Sequence, residues 1–210
     1  MLKLVVWDSK YVNSPAMNQR WFALVLLLSC LHTALAQDAW KLAKEQKEVR
    51  VFTRTNPDSP IKEYRAETDV DVPIDEVVSF FMRTNIHPTW MEGVASVRRV
   101  SGTEELLYYE LDIPFPFKNR CMWLNETTES HPDKFVLHLV TAPGIIPEGL
   151  VPLESVHGFW EFVKISGSRT RVRQQFATDP GGAMPDWLVN LFIVKNPYKT
   201  MRNMRSSLGY

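Results

Sequence analysis

Histidine and cysteine, which often act as bases, nucleophiles or metal ligands, are scattered through this sequence. His87, His131, His138 and His157 lie far apart, and no cysteine stands at zinc-ligand spacing from them. The sequence also contains no nucleophile elbow, no phosphate-binding P-loop and no zinc-peptidase motif. We therefore predict no catalytic residue, no metal site and no cofactor from these side chains.

Gly181 and Gly182 precede a stretch that predicts a helix. Glycines in this position can bind phosphate through free backbone N–H groups, or they can turn the chain sharply so that a helix folds over a sheet. A phosphate site would favour basic or hydroxyl neighbours and a parallel βα unit, whereas Asp179 and Asp186 flank this pair. We interpret the glycines as a turn and Pro185 as the start of the helix, where its missing N–H costs little.

A few polar side chains lie on strand faces that are otherwise apolar and aromatic. By the period-two alternation of a strand, Tyr109 shares a face with Leu107 and Leu111, and Gln174 shares a face with Phe176. His138 is a third polar candidate. Such a mixture is typical of small-ligand sites, but inward faces usually fill a dry core. The pattern alone favours the filled core and leaves both interpretations open.

The spacing of apolar residues predicts the elements that would hold these side chains. Helices are predicted after Asp38, after Pro73 and over residues 185–208, with a kink at Pro197. Two strands, VRVFTRT and IKEYRAETDV, precede the second helix. The strands that follow it are ASVRRVSG, ELLYYELDIP, RCMWLNETTE, KFVLHLVTA, HGFWEFVKI and TRVRQQFATD. Because helices and strands are segregated, the predicted class is α+β with an antiparallel sheet.

Residues 143–153, PGIIPEGLVPL, interrupt the strand pattern with prolines, glycines and large apolar side chains. Such a loop either packs on the surface of its own domain or acts as a mobile lid that covers a pocket or meets a membrane. The sequence alone favours packing.

The first 36 residues have the features of a secretory signal. Met17 is the expected true start; Arg20, a short apolar run and a small-x-small site ending at Ala36 follow it. The apolar run is shorter than the roughly 20 residues of a membrane span. We expect cleavage after Ala36 and a periplasmic or secreted domain over residues 37–210. An uncleaved membrane anchor is the alternative.

The composition predicts one globular domain. The chain has 210 residues, of which 45% are hydrophobic, enough for a single core. Its formal net charge of +0 argues against a sequence-independent nucleic-acid binder. Cleavage would remove Cys30 and leave Cys121 alone, so no intrachain disulfide is expected.

Several segments, in their order along the chain, resemble the START family, the steroidogenic acute regulatory protein-related lipid transfer domains, and above all its bacterial members. These segments are PIDEVVSFF, NIHPTWMEGV, DIPFPFKNR, GFWEF and TRVRQQFATDPGGAMPDWLVN. The resemblance covers about residues 40–208. It implies a helix-grip fold, in which a curved antiparallel sheet wraps around a long C-terminal helix. The fold leaves a tunnel for one lipid or other hydrophobic molecule and generally performs no covalent chemistry.

The resemblance places the tunnel between the sheet and residues 185–208, with residues 143–153 at its mouth. The tunnel lining that it implies comprises Tyr109, Leu111, Arg120, Met122, His138, Trp160, Phe162, Gln174, Phe176, Trp187, Leu188 and Leu191. The mouth that it implies comprises Ile145, Ile146, Leu150 and Val151. One departure is Cys121, which stands where family members commonly have an aspartate after the arginine. Arg120 therefore lacks its usual carboxylate neighbour.

The function expected from this resemblance is an exported lipid carrier or sensor. The protein would be a monomer that contacts membranes transiently and binds no nucleic acid. The alternative is a cyclase/aromatase-like enzyme that acts on a hydrophobic substrate in the same cavity, with Tyr109, His138 and Arg120 as candidate groups. Export argues against that alternative, because polyketide chains are made inside cells.

Overall fold

This computed structural model describes residues 39–100, 102 and 105–209. The predicted signal segment, residues 1–36, lies outside the described residues and stays a prediction. The described strands are β1 (Lys41–Gln46), β2 (Val49–Asn56), β3 (Ser59–Val70), β4 (Val94–Arg99), β5 (Leu106–Leu111), β6 (Arg120–His131), β7 (Lys134–Thr141), β8 (Val151–Pro152), β9 (Ser155–Ser166) and β10 (Arg169–Asp179). The described helices are α1 (Ile74–Phe81), α2 (His87–Trp90) and α3 (Asp186–Ser207), with a 3-10 turn over Thr84–Ile86.

All these strands join one curved sheet with the order β1-β2-β3-β10-β9-β7-β6-β5-β4. Every neighbouring pair along this path is antiparallel, and the short β8 adds a parallel pairing to β6. The C-terminal helix α3 packs against β2 and β3. The predicted α+β class and helix-grip architecture are therefore confirmed.

The helix predicted after Asp38 is wrong, because Lys41–Gln46 forms β1. Its residues have good helix propensity, but pairing with β2 overrides that weak preference. Lys47 and Glu48 connect the two strands with φ values of 49° and 60°. Positive φ at both residues is typical of a tight hairpin turn. The sequence hid this turn, because neither position is the glycine or asparagine that usually signals it.

The two halves of α3 bury their side chains in different apolar clusters. Tyr198, Met201 and Met204 join the main core beneath the sheet. Val189 and Ile193 belong to a smaller cluster, which we call the satellite cluster; its buried members are Ile61, Met184, Val189 and Ile193. The chain stays helical through Pro197, between the two halves. The kink predicted there stays a prediction.

No helix in the described part of the chain is long and apolar enough to cross a membrane.

Candidate functional site

A cavity of about 180 Å³ lies between the inner face of the sheet and the middle of α3. Its walls are mostly aliphatic and aromatic, with a few uncharged polar groups and the carboxylate of Glu92. The residues that line it are Tyr64, Met91, Glu92, Val94, Tyr109, Leu111, Met122, Leu124, Leu139, Leu153, Val156, Trp160, Gln174, Phe176, Thr178, Asn196, Pro197 and Thr200. The site is therefore an apolar chamber with isolated hydrogen-bonding points.

The structure places half of the predicted tunnel lining in this cavity. The residues that it brings together are Tyr109, Leu111, Met122, Trp160, Gln174 and Phe176. They come from β5, β6, β9 and β10. Strand alternation points their side chains to the same face of the sheet.

The predicted lining residues of α3 lie outside the cavity. Trp187 and Leu191 are 69% and 51% exposed, and Leu188 packs against the satellite cluster. The helix borders the cavity further along, at Asn196, Pro197 and Thr200. The apolar stripe of α3 runs over both clusters, so its sequence could not show which segment covers the cavity.

Two other predicted lining residues also lie elsewhere. His138 lines a groove with His157 and Gln175, and its Nε2 lies 3.1 Å from Glu129 Oε1. It lies between two strand neighbours, Leu137 and Leu139, that join the main core, so alternation turns it to the outer face. Phe162 is fully buried in that core.

Gln174 supplies a buried hydrogen-bond donor to the cavity. The residue is 4% exposed, and its Nε2 has no hydrogen-bond partner among the described residues. The Tyr64 hydroxyl lies 3.5 Å from Gln174 Oε1 and donates to it. Burial raises the pKa of Tyr64, so this phenol keeps its proton and holds the amide oxygen. The amide nitrogen is left to bond another molecule.

Tyr109 supplies an acceptor, because its proton is already used. His87 Nε2 lies 2.7 Å from the carbonyl oxygen of Phe81, which can only accept, so Nε2 carries the imidazole proton. Burial lowers the pKa of His87 to about 4, and the ring therefore has a single proton at neutral pH. Its Nδ1 must accept from the Tyr109 hydroxyl, 3.1 Å away. The Tyr109 oxygen can therefore act only as a hydrogen-bond acceptor toward a ligand, through its lone pairs.

The charged side chain in the described lining of the cavity is partly exposed and is paired with a lysine. Glu92 lines the cavity, and its carboxylate is 2.5 Å from Lys199 Nζ on α3. The Glu92 backbone N–H donates to the Thr200 hydroxyl at 3.0 Å. The Glu92 side chain is partly exposed. These contacts tie the segment before β4 to α3.

Arg120 holds the turn that precedes α3 and lies outside the cavity lining, in contrast to the prediction. Its side chain is 3% exposed. Its guanidinium donates to the carbonyl oxygens of Pro180 at 3.4 Å, of Gly181 at 3.3 Å and of Lys118. Gly181 and Gly182 have φ values of 62° and 68°, which glycine adopts without strain. Backbone oxygens thus bind the cation, and the next residue, Cys121, offers it no carboxylate.

We expect Arg120→Met to lower the free energy of unfolding by about 3 kcal/mol, because buried carbonyl oxygens would lose their donor at about 1–3 kcal/mol each. Urea unfolding measures the change. Arg171→Met is the matched control; its partly exposed pair with Asp69 should contribute about 1 kcal/mol or less. Equal losses in the two variants would contradict this role. A change in ligand affinity without a change in stability would instead support the sequence prediction that Arg120 lines the binding site.

The predicted mouth loop packs partly on the domain itself. The Trp123 indole N–H donates to the Ile145 carbonyl at 2.9 Å, and a Cβ on Gly144 would lie 2.2 Å from the Trp123 ring. The Ile145 side chain remains 83% exposed and Ile146 is also exposed, whereas Leu150 and Val151 are half-buried. Leu153, at the end of the loop, lines the cavity.

Sequence reasoning missed the cavity residues that are not on the chosen strand faces. Met91, Glu92 and Val94 come from the segment around the start of β4, and Asn196 and Thr200 come from α3. Alternation could have found Leu124 and Leu139, since each lies on a predicted strand, whereas Val156 lies just before the predicted start of its strand at His157. No group of histidine, cysteine, aspartate or glutamate in the described part of the chain could hold a metal ion.

Known proteins share this architecture. No protein-family model matches the chain. An uncharacterised protein of Pseudomonas aeruginosa is 31% identical over 179 residues, which is 83% of this chain and 88% of the relative. A STAR-related lipid transfer protein from Xanthomonas axonopodis has a crystal structure that superposes with a TM-score of 0.75 at 28% identity, covering 82% of this chain and 100% of the other. Mouse phosphatidylcholine transfer protein is 21% identical over 166 residues, 75% of this chain and 78% of its own.

The resemblance in sequence, the helix-grip architecture and the cavity between sheet and C-terminal helix agree with these similarities. The predicted resemblance to the START family of STAR-related lipid transfer proteins is therefore confirmed in both sequence and fold.

Proposed function

We propose that this protein is an exported carrier that binds one lipid, or a comparable hydrophobic molecule, in the cavity between the sheet and α3. The observation that supports it best is the buried amide of Gln174, whose Nε2 has no partner among the described residues. A buried donor without an acceptor costs about 1–3 kcal/mol, and an acceptor on a ligand in the cavity would remove that cost. Burial of the apolar part of a ligand would contribute about 25 cal/mol of binding free energy per Å² of apolar surface.

The names of two relatives support a lipid as the ligand. One is a lipid transfer protein and the other is a phosphatidylcholine transfer protein. The cavity walls agree with this class, because apolar side chains form most of them.

Uptake of a whole lipid requires the walls to separate. The cavity of about 180 Å³ is smaller than the roughly 300–1,000 Å³ of common ligand pockets. The N-terminal half of α3 is the element that we expect to move, because it packs on the small satellite cluster. Pro197 also lacks the N–H that would continue the helical bonding at the boundary.

Exposed apolar side chains beside this half of α3 support a transient membrane contact. Phe115, in the loop between β5 and β6, is 95% exposed, and Trp187 lies on the first turn of α3. Phe117, two residues after Phe115, and Leu188, next to Trp187, pack against the same satellite cluster. A carrier that opens here would present apolar surface to the bilayer as it loads.

The hydrogen bond between Tyr109 and His87 weighs against the enzyme alternative. Acid–base catalysis is most efficient with pKa values near the working pH. Burial raises the pKa of Tyr109 and lowers that of His87 to about 4. Both groups are thus suited to fixed hydrogen bonds rather than to proton exchange at neutral pH.

A vesicle transfer assay tests the carrier function. We expect the protein to speed the movement of a fluorescent lipid from donor to acceptor vesicles in proportion to protein concentration. Native mass spectrometry of the same sample should show one lipid per chain. No retained lipid and no acceleration with neutral, zwitterionic and anionic vesicles would overturn the proposal.

Export is proposed from the signal-like sequence of residues 1–36. N-terminal sequencing of the mature protein should give Gln37 as its first residue. Retention of the apolar run would favour an anchored protein instead.

A further inference from the structure

We infer that the cavity selects an uncharged lipid, with a hydroxyl or amide N–H group for Tyr109 and a carbonyl or ether oxygen for Gln174. This inference rests on the proposed function and narrows its ligand class. Three features of the described residues carry it: a fixed acceptor, a fixed donor and the absence of a cation from the cavity lining.

The acceptor is the Tyr109 oxygen. The carbonyl of Phe81 fixes the proton of His87 on Nε2, and Nδ1 then takes the proton of the Tyr109 hydroxyl. His87 is 1% exposed and packs between Phe81 and Trp90, so the ring is held in place. A ligand group that meets Tyr109 must therefore be a donor.

The donor is the Gln174 amide nitrogen. The Tyr64 hydroxyl occupies the amide oxygen, and Nε2 has no partner in the described part of the chain. Gln174 lies on β10 and Tyr109 on β5, and these strands are not neighbours in the sheet. Three strands, β9, β7 and β6, lie between them, so we expect the two polar points to bind separate groups of one ligand.

The charge of the ligand follows from the charges around it. Apart from the tyrosines, the only titratable side chain among the described lining residues is Glu92, a partly exposed carboxylate already paired with Lys199. The buried guanidinium of Arg120 is engaged by backbone carbonyls and does not line the cavity. A phosphate or carboxylate inside would lose its hydration without gaining a cation, which is strongly unfavourable. An uncharged oxygen avoids this cost.

Four matched probes test the inference: methyl ricinoleate, methyl oleate, ricinoleate and oleoyl lysophosphatidylcholine. Methyl ricinoleate carries an ester and a hydroxyl, and methyl oleate lacks the hydroxyl. Ricinoleate carries a carboxylate in place of the ester, and the lysophospholipid carries a zwitterionic phosphocholine. Binding to the purified full-length protein is measured by native mass spectrometry and by displacement of a fluorescent fatty ester. Wild-type protein should bind methyl ricinoleate about tenfold more tightly than each of the other three probes, because each lacks one uncharged partner or adds a buried charge.

Two variants test the Tyr109 acceptor and the Gln174 donor separately. Tyr109→Phe should weaken methyl ricinoleate about tenfold and leave methyl oleate unchanged, because only the hydroxyl needs this acceptor. Gln174→Met should weaken both methyl esters by a similar factor, since both carry the carbonyl. Methyl oleate serves as the internal control for the fold of the Tyr109 variant.

The outcomes distinguish this inference from the proposed function. Binding of ricinoleate or of the lysophospholipid as tight as that of methyl ricinoleate overturns the inference alone. Equal weakening of both esters by Tyr109→Phe does so too, because it shows a structural role for that hydroxyl. Binding of no probe and retention of no lipid overturn the proposed function together with the inference.

Discussion

Thr178→Trp is expected to weaken lipid binding at least ~100-fold, which corresponds to about 2.7 kcal/mol of binding free energy. Thr178 lies on β10 and lines the cavity without being fully buried. An indole at this position would take up much of a cavity of about 180 Å³. Overpacking typically costs about 1–3 kcal/mol of stability, so the variant should still fold.

Gln175→Trp is the matched control for this prediction. Gln175 lies on the same strand but lines the outer groove with His138 and His157, so the same substitution leaves the cavity untouched. Lipid retention is measured by native mass spectrometry, and folding by urea unfolding of both variants. Full retention of lipid by folded Thr178→Trp protein would show that the ligand lies elsewhere.

Lowering the pH from 6.5 to about 4 is expected to remove roughly 3 kcal/mol of folding stability through His87. The pKa of His87 falls from 6.5 to about 4 on folding, mainly because the ring is buried, and each pKa unit corresponds to about 1.4 kcal/mol. Between these pH values His87 binds a proton in the unfolded chain but not in the folded chain. The free energy of unfolding therefore falls as the pH falls. Above pH 6.5 the contribution is fully present. Asp69, whose pKa is lowered by its bond to Arg171, adds a further loss only at lower pH.

Urea unfolding across this pH range tests the prediction, and His87→Gln should flatten the profile because glutamine does not titrate. Nitrogen NMR of the imidazole offers a second readout on the wild-type protein and does not depend on the variant. It should show a neutral ring with its proton on Nε2 at pH 5, because the Phe81 carbonyl fixes that tautomer. Titration of His87 near pH 6.5 in the folded protein would contradict the buried network.

Strand alternation and element order made most of the fold predictable. Tyr109, Trp160 and Gln174 lie on the inner faces that alternation assigned to them, because a buried strand face tolerates no shift of register. The same rule also turns His138 outward, and the prediction that placed it inside did not apply it. The site predictions that the structure does not match depend on contacts between segments that are distant in the sequence. The carbonyl oxygens that bind Arg120 include one that lies 61 residues away, and no local pattern signals such a partner.

The position of α3 over the cavity also required the structure. Apolar periodicity identifies the buried face of a helix but not the partner of each turn. Trp187 and Leu191 therefore looked like better cavity residues than Asn196 and Thr200, which line it. The hairpin that creates β1 was hidden for a similar reason, because pairing with β2 outweighs the helix propensity of its residues.

A crystal structure of the protein after loading from lipid vesicles tests the central claim most directly. We expect one ligand between the sheet and α3, with an uncharged oxygen at about 3 Å from Gln174 Nε2. The apolar part should contact Trp160 and Phe176, and the N-terminal half of α3 should have shifted to admit it. A retained lipid in the outer groove beside His138 and His157, with side chains filling the inner cavity, would contradict the account.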